Sequence, residues 1–114
     1  MTWFSMKGVA PEVEYLYQQA RQKVDDGEYQ HAVDVLNQAV QISPRIPQVF
    51  IELGNCFDNL NRYDDAIISY EKALQIDPFH PDALFNKGMC LKKIGNEVES
   101  LKCIERAIEL YCGT

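Results

Sequence analysis

Arg62–Pro78 reads RYDDAIISYEKALQIDP. Its apolar residues recur at intervals of three and four, so that Ala66, Ile67, Tyr70, Ala73 and Leu74 fall on one helical face. Asp64 and Asp65 stand in the first turn, where negative side chains complement the helix dipole by ~0.3–1 kcal/mol. Pro78 ends the segment, because proline has no amide hydrogen to continue the ladder. The same kinds of residue return upstream in EYQHAVDVLNQAVQISP (Glu28–Pro44) and downstream in EVESLKCIERAIELYC (Glu97–Cys112). A helix that recurs at a fixed step is one part of a repeating unit.

The step is 34 residues, and three blocks align without a gap: 13–46, 47–80 and 81–114. Residues 1–12 precede them as a leader, or as an improvised cap in which Trp3, Phe4 and Met6 pack on the first block. Each block has a second apolar face in its first half, as in Phe50, Leu53, Gly54, Phe57 and Leu60. The two halves meet at Gly27, Asn61 and Gly95, residues suited to the left-handed backbone that ends a helix. Small residues recur at 20, 54 and 88 and again at 32, 66 and 100, where two helices must approach closely. The pattern predicts helices over 12–26, 29–42, 47–60, 63–76, 81–94 and 97–111, paired into hairpins that cover one another's apolar faces.

With LGNCFDNLNRYDDAIISYEKALQIDP (Leu53–Pro78) as its clearest copy, the chain resembles the tetratricopeptide repeat. The third block departs from that pattern at Glu97, Ser100 and Cys112, and the first at Gln19, Ala20 and Lys23. The resemblance implies an all-α fold without a sheet: an α-solenoid of three stacked helix–turn–helix hairpins in a right-handed superhelix. It places first repeat, second repeat and third repeat on the three blocks in order.

Composition excludes several classes of function. A net charge of −6 disfavours a nucleic-acid backbone or an anionic membrane as the general partner. No apolar run approaches the ~18 residues of a membrane span, and the opening MTWFSMKGVAPE has no long apolar stretch of the secretory kind. A cytoplasmic protein is expected. Cys56, Cys90, Cys103 and Cys112 include no CxxC, and neither His31 nor His80 completes a zinc set, so no metal is expected. Phosphate loops, GxSxG and HExxH are all missing. The carboxylate pairs Asp25–Asp26 and Asp64–Asp65 sit at turns and first turns, where helix electrostatics account for them. The reading is a protein that is not an enzyme and needs no cofactor.

What stacked hairpins offer is a concave wall. The family resemblance assigns ligand-facing roles to recurring positions of each first helix. From them, with the amides that suit a peptide backbone, the candidate partner-binding residues are Tyr17 and Arg21 in the first block and Gln48, Ile51 and Asn55 in the second. In the third they are Asp82, Phe85, Asn86, Met89 and Lys93. Tyr17, Ile51 and Phe85 are in phase and form an apolar stripe, some of which inter-helix packing can consume. A clamp for a C-terminal carboxylate, known in the family, is disfavoured because Glu52 and Asp82 stand where it needs amide and cation.

The expected function is therefore a non-catalytic interaction module, an adaptor, scaffold or co-chaperone-like protein that holds a peptide or helix of a partner protein. Two alternatives stand beside it. Leu101, Ile104, Ile108 and Tyr111 lie on a last helix with no follower, which makes a self-association patch and a homo-oligomer. The chain is otherwise the regulatory arm of a larger multidomain protein.

Overall fold

The computed structural model describes residues 8–113, so Trp3, Phe4 and Met6 of the expected cap or leader lie outside the described residues. Six helices follow in order: α1 (Pro11–Asp25), α2 (Tyr29–Ile42), α3 (Pro47–Asn59), α4 (Tyr63–Ile76), α5 (Pro81–Lys93) and α6 (Glu97–Cys112). Each bound lies within a residue of the one expected from the sequence pattern. No strand occurs among the described residues. Each helix packs on its neighbours in sequence, and α3 also touches α5. This is a stack of three hairpins.

Local chemistry explains the bounds. Pro11, Pro47 and Pro81 begin α1, α3 and α5, where a fixed φ suits the first turn and no amide hydrogen is needed. Gly27, Asn61 and Gly95 have φ of 76°, 60° and 87° and end the first helix of each hairpin. At each, the next residue's amide reaches back across the last turn: Glu28 to Lys23, Arg62 to Phe57 and Asn96 to Leu91, all at 2.8–2.9 Å. This double closure satisfies carbonyls that the helix leaves bare. Asn61 bears the left-handed conformation with a side chain, and its Oδ1 accepts a hydrogen bond from the Tyr63 hydroxyl at 3.0 Å.

The core runs along the stack. Val13, Ala20, Leu36, Val49, Cys56, Tyr70 and Cys90 are buried along its length. Small residues do what their recurrence implied: Ala20, Ala32, Ala66 and Ser100 are buried where helices meet, and the Ser100 hydroxyl donates to the Gly88 carbonyl at 2.7 Å.

Burial also sets the thiol chemistry. Cys56, Cys90 and Cys103 are buried and Cys112 is exposed, all four as free thiols. Desolvation, reinforced by Glu52, pushes the Cys56 thiol from 9.0 up to about 12. Desolvation with Asp58 pushes Cys90 up to about 11. Because the folded state favours the neutral thiol, this contribution to stability is full below pH 9 and is lost as pH rises towards 11 and 12. Iodoacetamide at pH 8 should therefore label Cys112 alone in the native protein, with the other three labelling only after denaturation. Rapid native modification of Cys56, read by mass spectrometry, would contradict the packing described.

Candidate functional site

The first helices of the three hairpins converge on a cavity of about 320 Å³. Tyr17 and Arg21 enter it from α1, Gln48, Ile51, Glu52 and Asn55 from α3, and Asp82 and Asn86 from α5, with His80 at the loop before α5. The structure thus brings together seven of the ten groove residues expected from sequence. Phe85, Met89 and Lys93 are not in its wall: Phe85 is exposed, Met89 half-buried, and the Lys93 ammonium pairs with Asp58 at 2.7 Å. The apolar stripe also changes character, since Tyr17 and Ile51 are buried and only Phe85 stands open to solvent.

One geometric rule builds the wall. Arg21 Nη1 donates to Glu52 Oε1 at 2.9 Å, across a separation of 31 residues. Asn86 Nδ2 donates to Asn55 Oδ1 at 3.1 Å, across the same separation of 31. In both pairs the step is one repeat less about one helical turn. The first junction holds a charged pair and the second an amide pair. Asn55 Oδ1 also accepts from the buried Tyr70 hydroxyl at 2.6 Å. That bond fixes the amide, leaving Asn55 Nδ2 and Asn86 Oδ1 for another molecule.

The electrostatics follow from these contacts. Burial, with the Glu52 charge next, raises the Tyr17 phenol above its ordinary range. Glu52 raises Arg21 in turn, as expected of a close ion pair. Asp82 has no cationic partner among the described residues; its carboxylate accepts a hydrogen bond from the Tyr111 hydroxyl. That bond, ahead of burial, holds the Tyr111 phenol up at about 12. His80 Nδ1 is buried without a hydrogen-bond partner among the described residues.

Sequence reasoning weighed Glu52 only as a position that disfavours a carboxylate clamp, and left it and His80 out of the candidate partner-binding residues. Glu52 shares a repeat position with Asn86, so the same column already held its signal. His80 precedes a helix, and only the turn of the loop places its ring at the cavity. At the far end, Leu101 and Ile108 of the expected self-association patch are exposed and Ile104 is half-buried. Tyr111, the fourth, is tied to Asp82 beside the groove. No group of three His, Cys, Asp or Glu able to hold a metal occurs among the described residues, and no helix there is long and apolar enough to cross a membrane.

Two stretches of the chain, residues 47–80 and 69–102, match the tetratricopeptide repeat. The chain belongs to the tetratricopeptide-repeat family, and its three hairpins form the right-handed α-solenoid of that fold. No curated protein matches it in sequence. Among solved structures it is similar to SycD, a type III secretion translocator chaperone of Yersinia enterocolitica, in an alternative dimer. Identity is 27%, with 93% of this chain and 80% of that one covered and a TM-score of 0.87. SycD in complex with a peptide of the translocator YopD gives 27% identity, coverages of 91% and 79% and a TM-score of 0.85. The second such domain of Spaghetti (RPAP3), bound to the HSP90 peptide SRMEEVD, is 13% identical over 88% of this chain and 93% of that chain. Its TM-score of 0.85 is a likeness of fold alone.

Proposed function

We propose that this chain is a protein-interaction module that binds a peptide or helical segment of a partner protein in its concave groove. The observation that carries the reading is the cavity itself, to which the first helices of all three hairpins contribute. Unspent donors and acceptors on Asn55, Asn86 and Gln48 suit a peptide backbone, and Phe85 with Met89 offers an apolar anchor beyond the rim. The peptide complex of SycD, at 27% identity, supports the same use of the fold. Random heptapeptides displayed on phage, selected on the immobilised full chain and then titrated by fluorescence anisotropy, test it. Gln48→Ala with Phe85→Ala should weaken selected peptides by about tenfold or more, the cost of losing ~1.4 kcal/mol of contacts. Ile108→Lys, on the far helix, should leave them unchanged. Peptides that ignore the groove pair and respond to Ile108→Lys would reverse the assignment.

A second reading rests on α6, where Val98, Leu101 and Ile108 are all exposed. Leu101 and Ile104 also line a shallow pocket of about 170 Å³ with Lys92, Glu97 and Ser100. Self-association through this face would appear in sedimentation velocity as a concentration-dependent dimer abolished by Leu101→Lys and Ile108→Lys. A monomer at all concentrations would remove it.

A further inference from the structure

The groove's charges are settled among themselves except at one point. Arg21 is paired with Glu52, and Lys93 with Asp58. Asp82 alone brings a carboxylate to the cavity with no cation opposite it among the described residues. The formal charge of the wall is therefore negative: Arg21 is cancelled by Glu52, and Asp82 remains. Beside it, Asn86 Oδ1 is an unspent acceptor. A carboxylate without a cation and an amide oxygen without a donor ask for the same visitor, a positively charged group rich in N–H.

We propose that the cavity takes a lysine or arginine side chain of the bound peptide, its cation set against Asp82 and its N–H groups directed to Asn86 Oδ1. This rests on the groove-binding reading above and adds the chemistry of the residue at its centre. Lysine and arginine both qualify, as each carries its charge on a long stem that can reach past the rim. Acidic peptides such as SRMEEVD are disfavoured, since their carboxylates would meet Glu52 and Asp82 rather than a free cation.

The displayed heptapeptides supply the test, on the full chain. Peptides whose binding depends on Gln48 and Phe85 should be enriched in lysine or arginine. Replacing that residue by norleucine should weaken a synthetic peptide by about tenfold, the scale of a hydrogen-bonded charge contact. Asp82→Asn should erase most of the difference between the lysine and norleucine peptides, whereas Asp64→Asn, an equal charge change on the exposed start of α4, should not. Asp82→Lys should turn the preference towards glutamate at the same position. Thermal melts establish that each variant is folded, and the comparison of the two peptides cancels any common loss. Groove-dependent peptides with no excess of cationic residues, or with equal losses in Asp82→Asn and Asp64→Asn, overturn the proposal and leave the binding module standing. If no selected peptide depends on the groove, the underlying reading falls and this inference with it.

Discussion

Replacing Gly54 by alanine should lower the melting temperature by roughly 10–20 °C, corresponding to about 2–3 kcal/mol. Elsewhere in a helix the same change gains up to ~1 kcal/mol, because glycine loses more backbone freedom on folding. Here a Cβ would lie 2.4 Å from Tyr70 Cε1 and 2.7 Å from both Cδ1 and Cζ. Real side chains do not approach so closely, so the ring or the helix must move. The ring has little room, being 1% exposed, and its hydroxyl is held by Asn55. Moving it breaks that bond and opens space in the α3–α4 contact, so overpacking outweighs the gain in propensity. Combining Gly54→Ala with Tyr70→Leu should recover part of the loss, although Tyr70→Leu alone destabilises. The two changes then fail to add, as expected of residues in direct contact. Urea unfolding followed by circular dichroism measures all three variants. An unchanged or raised stability in Gly54→Ala alone would mean that the ring yields freely. At Gly88 the nearest atom is Ile104 Cγ1, 2.7 Å away on a half-buried side chain, so alanine there should cost less.

This sensitivity explains why so much of the fold was legible in the sequence. A repeat prints each packing constraint three times, and the small residues at 20, 54 and 88 are the mark of one such constraint. The left-handed turns at Gly27, Asn61 and Gly95 and the prolines at 47 and 81, each a step of 34 apart, are further marks, and they fix the helix ends. The groove was less legible, because facing the hollow and being open to it are different properties. Tyr17 and Ile51 line the cavity but are each only 8% exposed, so little of either is offered to a partner. Phe85 keeps its exposure on α5, beside which no further first helix packs among the described residues. The pairings across 31 residues, Arg21 with Glu52 and Asn55 with Asn86, needed the offset between neighbouring helices, which the period by itself does not contain.

Arg21→Met should destabilise the fold while improving the groove for cations, two effects of opposite sign on one substitution. The Glu52 side chain is only 11% exposed, whereas that of Arg21 is 51% exposed. Removing the guanidinium leaves a carboxylate largely out of water with no cation beside it. Breaking a fully buried pair in this way costs ~3–5 kcal/mol. Solvent reaches this pair from the arginine side and screens it, which brings the expected loss to about 1–2 kcal/mol. Glu52→Gln in the same chain should restore most of it, because a neutral amide tolerates the site better than a lone carboxylate. Arg21→Met also removes the one positive charge of the cavity wall, leaving Glu52 and Asp82 both uncompensated. Lysine peptides should then bind several-fold more tightly, an advantage that shrinks as salt screens the field. Urea titration reads the first effect and fluorescence anisotropy at two ionic strengths the second. Parallel loss of both would mean that the Arg21–Glu52 link shapes the groove more than it charges it. Loss of stability with a gain in cation affinity would separate the role of the pair in joining α1 to α3 from its role in setting the potential that a partner meets.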